Sequence, residues 1–193
     1  ENKEGEWDIK ALYQAIILSR ATLELAKRLG TGIDAVDCSE WQTALINGYL
    51  KTEYSDAMPR VNTVQHIDHL KYKGRFRSDE WKHTGLPFSE YGDLKWTPCA
   101  SEPEYERWAR SGHEWISLLR YGLLKADRLR APSERYAEEI LTAEYGLGFE
   151  DIFKERKERL AGITTGIDYV RYNPETDKNL HVKYGRGDLA GAI

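Results

Sequence analysis

The sequence holds only two cysteines, Cys38 and Cys99, in 193 residues. Two thiols cannot form a disulfide framework, so the expectation is a pair of reduced thiols in a cytoplasmic protein. Excess basic charge is also missing. Lys and Arg number 28 against 32 Asp and Glu, a net charge of −4, which gives no support for a nucleic-acid partner. No apolar run approaches the ~18 residues of a membrane-spanning helix. The longest, Leu12 to Leu18, is interrupted by Gln14. No membrane partner is expected. The histidines (His66, His69, His83, His113 and His181) show no metal-ligand spacing, and only the first two lie close together. No Gly-x-Gly-x-x-Gly follows a strand pattern, which leaves dinucleotide binding without direct support. Internal repeats, low-complexity segments and a visible signal peptide are absent too. The chain starts at Glu1 and not Met, which suggests processing or trimming.

What is present describes one globular domain. A 40% hydrophobic and 31% charged composition suffices for a true core. Six tryptophans and twelve tyrosines exceed what such a core needs, so some are expected to line a cleft or cover an interface.

Apolar positions from Asp8 to Leu29 recur with a helical period, with Asp8 as N-cap and Gly30 as stop. Ile33 to Cys38 reads as a buried strand, followed by the polar turn Ser39 to Thr43 and a helix from Ala44 to Tyr54. Val61 to Ile67 reads as a second strand ending in Asp68 and His69. Two strands joined by a helix predict a parallel pair with a right-handed crossover. Ligands of open α/β sheets bind at the carboxyl ends of strands, which makes both strand exits candidate sites.

Arg77 to Pro103 shows no clear period, and its aromatics, including Trp81, Phe88 and Tyr91, suit a lid, a carbohydrate-stacking surface or a self-packed loop with short helical turns. A helix is predicted over Glu104 to Asp127, a strand over Arg128 to Pro132, a helix capped by Ser133, and a further helix over Phe149 to Leu160. Ile163 then belongs to a short apolar strand, Gly166 is read as permitting a positive φ, and Asn173-Pro174 as locking a loop. The fold class expected is α/β, a Rossmann-like three-layer domain with a mostly parallel sheet.

Ser39, Glu40, His66, Asp68 and His69 could converge at one sheet edge. Their chemistry leaves four readings open: a Ser-His-Asp triad without a nucleophile elbow, a paired-carboxylate hydrolase using Glu40 and Asp68, the edge of a sugar-binding cleft, or satisfied loop polar groups. Trp41 can be a core residue or a ligand platform. Asp168 can fix its own loop or contact a substrate.

Four segments resemble the glycogen and starch synthase family. The family's His-Ala-His-Asp-Trp-His-Thr-Ala-Leu corresponds to Cys38-Ser39-Glu40-Trp41-Gln42-Thr43-Ala44-Leu45 and the strand before it. Its Thr-Val-Phe-Thr-Ile-His-Asn-Leu-Ala-Tyr-Gln-Gly corresponds to Thr63 through Gly74. A third match runs from Leu119 through Ser133 to Tyr136-Ala137-Glu138-Glu139-Ile140. The fourth, Gly162-Ile163-Thr164-Thr165-Gly166-Ile167-Asp168 followed by Asn173-Pro174-Glu175-Thr176-Asp177, resembles the family's Gly-Ile-Leu-Asn-Gly-Ile-Asp hallmark.

The resemblance implies the N-terminal half of a GT-B glycosyltransferase. Such an enzyme moves glucose from ADP-glucose or UDP-glucose to an α-glucan with retention, and it uses no metal or other cofactor. Residues 1–184 would be a partial N-terminal domain and 185–193 the start of an interdomain linker. The family's Lys-x-Gly-Gly-Leu loop and its C-terminal domain are not in the sequence, so this chain alone is expected to be inactive without that domain, in the same polypeptide or another chain. By the resemblance, Ser39, Glu40, Asp68 and His69 are the candidate catalytic residues. Trp41, Thr43, His66, Thr165, Gly166 and Asp168 are the candidate substrate-binding residues. The family's histidine is Ser39 here, its aspartate Glu40, and its asparagine Thr165. These departures suit either a different donor or acceptor, or a non-catalytic module for glycan binding or assembly with another chain.

Overall fold

The computed structural model describes residues 8–30, 32–98 and 105–187, without the side chains of residues 107, 108 and 111. Cys99, Pro103, Glu104, the Trp108 side chain and the 188–193 end of the expected linker lie outside the described residues. The chain divides into two compact units, residues 1–163 and 164–193.

In chain order the first unit runs α1 (Ile9–Leu29), β1 (Ala35–Ser39), α2 (Leu45–Tyr49), β2 (Asn62–His66), β3 (Arg75–Arg77), α3 (Tyr91–Leu94), β4 (Lys95–Trp96), α4 (Tyr105–Ser111), β5 (Trp115–Ser117), α5 (Leu118–Lys125), β6 (Arg128–Ala131), α6 (Glu134–Glu139), α7 (Ala143–Gly146), α8 (Glu150–Glu155) and β7 (Leu160–Gly162). The main sheet is parallel throughout, in the order β1-β2-β6-β7. The parallel β1–β2 pair and the mostly parallel α/β architecture agree with expectation. A second sheet, β3-β5-β4, is antiparallel.

Helix α1 starts where Asp8 Oδ1 accepts from the Lys10 amide at 2.8 Å, and stops where Gly30 enters the left-handed region at φ 62°. Its inner stripe is Leu12, Ala15, Ile16, Ser19 and Leu23, while Tyr13 and Ile17 are exposed. Helices α2 and α5 approach closely because glycines stand at the contact. A Cβ on Gly48 would lie 2.0 Å from Tyr121 Oη, and one on Gly122 would lie 2.8 Å from Ala44 Cβ.

Three element readings are corrected. The helix over Glu104 to Asp127 is two helices with a strand between them. Gly112 at φ 65° ends the first, Trp115-Ile116-Ser117 pairs as β5, and Ser117 Oγ caps α5 by accepting from Arg120 N at 3.1 Å. The helix over Phe149 to Leu160 ends at Glu155, and Leu160 opens β7, which ends at Gly162, one residue before the Ile163 expected in the apolar strand. Ile163 still donates its amide to Ala131 O at 2.9 Å. The helix after Ala44 is a single turn or so, with turns from Leu50 onward. The 77–98 stretch does contain short helical turns, at Ser78–Thr84 and Phe88–Glu90, besides α3 and β4.

In the second unit, Gly166 is not at positive φ, and a Cβ there would meet nothing within 4 Å, so the expected left-handed turn is absent. Asn173 does lock its loop. Its Oδ1 accepts from Glu175 N at 2.9 Å, and its carbonyl accepts from Thr176 N and Asp177 N at 3.0 and 2.8 Å.

Candidate functional site

The register of the parallel sheet brings three strand exits together. Ser39 pairs with His66 across β1–β2, and His66 with Arg130 across β2–β6. The chain beyond Ser39 turns sharply at Glu40, which sits at φ 54° and ψ −164°. A non-glycine residue there carries backbone strain, held in place by its hydrogen bonds. Glu40 N donates to His66 O at 3.1 Å, and Glu40 O accepts from Gln65 Nε2 at 2.9 Å. The Glu40 side chain then reaches across β2. Its Oε1 accepts from Asp68 N at 2.6 Å and from His69 N at 3.4 Å, and its Oε2 stands 3.9 Å from His69 Nδ1.

Burial pushes the Glu40 carboxyl above its ordinary range, only partly offset by the Asp68 amide and the His69 charge. His66, nearly buried, lies between two charges. Its Nδ1 is 3.0 Å from Arg130 Nη2 and its Nε2 is 3.2 Å from Asp68 Oδ1. A guanidinium can only donate, and Arg130 Nη2 is within reach of both ring nitrogens, 3.0 Å from Nδ1 and 3.4 Å from Nε2. Arg130 also approaches Asp37 Oδ2 at 3.5 Å.

Ser39, Glu40, His66, Asp68 and His69 are thus one cluster, as the strand exits suggested. Ser39, Asp68 and His69 are exposed, and His69 is edge-on to Tyr72 at 5.2 Å. Thr43 donates its hydroxyl to Ser39 O at 2.8 Å and closes the turn. Trp41 is buried, edge-on to Phe76 at 5.8 Å, and Gly74 at φ 60° leaves room for it: a Cβ there would sit 2.7 Å from the Trp41 Cβ and 2.8 Å from the indole Cγ.

Thr165, Gly166 and Asp168 belong to the second unit. Asp168 secures its own turn, its Oδ1 accepting from Val170 N at 2.9 Å and Arg171 N at 3.1 Å. That unit also has a depression of about 470 Å³ lined by Tyr169, Tyr172, Pro174 and Tyr184 among others.

Four residues in the cluster were missed by sequence reasoning. Arg130 could have been found from strand alternation, since Arg128 and Arg130 flank the buried Leu129 at the end of a predicted strand. Tyr136, on α6, contacts the backbone at Leu70 and is close enough to feel the Glu40 charge. Asn47 and Gln65 gave no sequence signal: Asn47 Nδ2 donates to Gln65 Oε1 at 2.9 Å, which links α2 through β2 to the Glu40 carbonyl. Among the described residues, no three His, Cys, Asp or Glu side chains gather as a metal site, and no helix is long and apolar enough to cross a membrane.

A strained acidic residue at parallel strand exits, flanked by two histidines and an arginine, can hydrogen-bond a polyhydroxylated or anionic ligand. A family model of the starch synthase catalytic domain matches residues 2–155. The chain belongs to the starch synthase catalytic domain family. It is 35% identical over 175 residues to a glycogen synthase of Thermodesulfovibrio yellowstonii, covering 88% of this chain and 32% of that protein. It is 38% identical over 176 residues to a glycogen synthase of Thermotoga maritima, covering 89% and 33% respectively. The fold is similar to the catalytic domain of starch synthase IV from Arabidopsis thaliana, solved with ADP and acarbose, with a TM-score of 0.73 at 23% identity, over 96% of this chain and 36% of that one. The chain therefore spans about a third of the length of the curated relatives it matches. It corresponds to the N-terminal portion of that GT-B architecture.

Proposed function

We propose that this chain supplies one wall of the cleft in a cytoplasmic glycosyltransferase that moves glucose from a nucleotide sugar, ADP-glucose or UDP-glucose, to an α-glucan. The observation that carries this reading is the family match over residues 2–155 together with the Glu40 cluster at the strand exits inside it. Residues 1–184 are taken as the partial N-terminal domain and 185–193 as the lead into the linker. A C-terminal GT-B domain, in the same polypeptide or a second one, would supply the remaining nucleotide contacts.

In this reading Glu40, Asp68, His69 and Ser39 bind sugar hydroxyls. Glu40 is the anchor. Its backbone is fixed by His66 O and Gln65, and its carboxyl is partly desolvated, which strengthens any hydrogen bond it makes to a hydroxyl. His66, with Nε2 3.2 Å from Asp68 Oδ1, positions that carboxylate. Trp41 and Thr43 keep the 39–43 turn in shape. Thr165, Gly166 and Asp168, in the segment after β7, are proposed as further substrate-binding residues.

A glucan-extension assay with labelled ADP-glucose and UDP-glucose, run on the longest polypeptide that carries this chain, tests the reading. Glu40→Ala is expected to lower transfer by roughly 10–100-fold, the loss of one charge-assisted hydrogen bond. Full activity in that variant removes Glu40 from the site. No transfer from either donor favours the non-catalytic glycan-binding module.

A further inference from the structure

Arg130 enters the strand-exit cluster from β6, the third strand of the parallel sheet. The register sets Ser39, His66 and Arg130 level with one another on adjacent strands. Side chains at level positions share one face of the sheet, and so does Asp37, two residues before Ser39. The opposite face carries Cys38, Gln65 and Leu129, all buried. Arg130 is thereby turned away from that core, and its guanidinium reaches across two strands. Nη2 stands 3.0 Å from His66 Nδ1 and 3.4 Å from His66 Nε2 on β2, and Nη1 stands 3.5 Å from Asp37 Oδ2 on β1.

Beyond His66 the contacts close into a ring. His66 Nε2 lies 3.2 Å from Asp68 Oδ1, Asp68 N donates to Glu40 Oε1 at 2.6 Å, and Glu40 N donates to His66 O at 3.1 Å. Arg130 bears on that ring through the imidazole. The His66 side chain is 12% exposed and the Asp68 side chain 55%. Among the described residues, the His66 ring is the side chain that holds the Asp68 carboxylate. A carboxylate so exposed is free to turn unless its neighbour is itself fixed.

Stability does not explain the guanidinium. An ion pair as open as Asp37–Arg130 contributes little. Arg130 Nε is buried without a hydrogen-bond partner among the described residues, which is a cost that an apolar side chain of similar length would avoid. What the guanidinium does supply is a rigid, permanently charged fork of donors aimed at the imidazole. We propose that Arg130 is the positioning residue of the strand-exit cluster: it fixes the His66 ring and, through that ring, the Asp68 carboxylate. The carboxylate is then set before a ligand arrives, which lowers the ordering cost of binding. That the ligand is a sugar rests on the reading given under Proposed function; the bridge from Arg130 to Asp68 does not.

Nuclear magnetic resonance of the isotope-labelled chain tests the bridge. Arg130→Met is expected to move the ring nitrogen signals of His66, identified by their loss in His66→Gln, together with the Asp68 amide. The variant is expected to melt within about 4 °C of the unsubstituted chain, or above it. Unmoved His66 and Asp68 signals would overturn the proposal, and so would a larger fall in melting temperature, which would make Arg130 a residue of the fold. In the longest polypeptide that carries this chain, Arg130→Met is expected to lower glucose transfer about tenfold, and to lower it by about twofold or less when Asp68→Asn is already present. A full tenfold loss on that background would overturn the route through Asp68. Absence of transfer in the unsubstituted polypeptide defeats the glycosyltransferase reading instead, and the His66 and Asp68 signals still decide whether Arg130 positions them.

Discussion

Glu40 occupies a backbone region that a non-glycine residue enters at a cost of roughly 1–3 kcal/mol. Its carboxyl adds a second cost, because burial favours the protonated form in the folded state. The sign follows from proton linkage. The folded pKa lies above the ordinary value of 4.5, so between the two the native state binds more protons than the unfolded chain. Stability from this group is complete below that window and falls as pH rises through it. Glu40→Gln should remove this slope while keeping an oxygen for the Asp68 amide. Urea unfolding of both proteins from about pH 4 to 7 measures the difference, and parallel curves would show that Glu40 does not titrate as its burial requires. Cys38 makes the complementary case. It is fully buried on β1, and burial pushes its thiol up to about 12, with Asp37 adding to the shift. Iodoacetamide at about pH 8 should leave Cys38 unmodified in the native chain and label it in urea, as read by mass spectrometry of the peptide that contains it.

At the scale of elements, the packing of α2 on α5 depends on Gly48. A methyl group there would overlap the Tyr121 hydroxyl, which cannot swing away easily because Glu90 holds it at 2.7 Å. Alanine favours a helix by up to ~1 kcal/mol over glycine, yet overpacking a tight contact costs typically ~1–3 kcal/mol. Gly48→Ala should therefore destabilise the chain, seen as a lower urea midpoint with unchanged slope; a higher midpoint would mean that α5 shifts freely. Contacts of this kind also explain what the sequence could disclose. The α1 caps, the β1 and β2 strands and the Ser133 cap were legible because each depends on local periodicity or a capping side chain. The antiparallel sheet was not, because Trp115-Ile116-Ser117 lies between two helical patterns, and only pairing with Arg75–Arg77 makes it a strand. The strand-exit cluster was half legible. Glu40, Asp68 and His69 follow directly from where strands end, but Gln65 and Asn47 act from inside the core through a hydrogen bond that no spacing signals.

Across the whole molecule, buried apolar side chains run from Leu12 to Phe153, and no residue described beyond Ile163 is buried. Residues 164–187 hold themselves by short-range turns at Asp168, Asn173 and Asp177. Turns of one or two hydrogen bonds open at far lower free energy than a packed sheet. Protease attack should therefore begin in this second unit, where Tyr169 is 79% and Val170 88% exposed and Arg171 offers a tryptic site beside them. Brief trypsin treatment should cut after Arg171 before any bond between Ile9 and Gly162. The trimmed chain should melt within about 4 °C of the intact one, the shift that ~1 kcal/mol produces in a domain of this size. A larger fall would mean that the segment after Ile163 contributes to the stability of the first unit, and that the core from Leu12 to Phe153 is not sufficient for it.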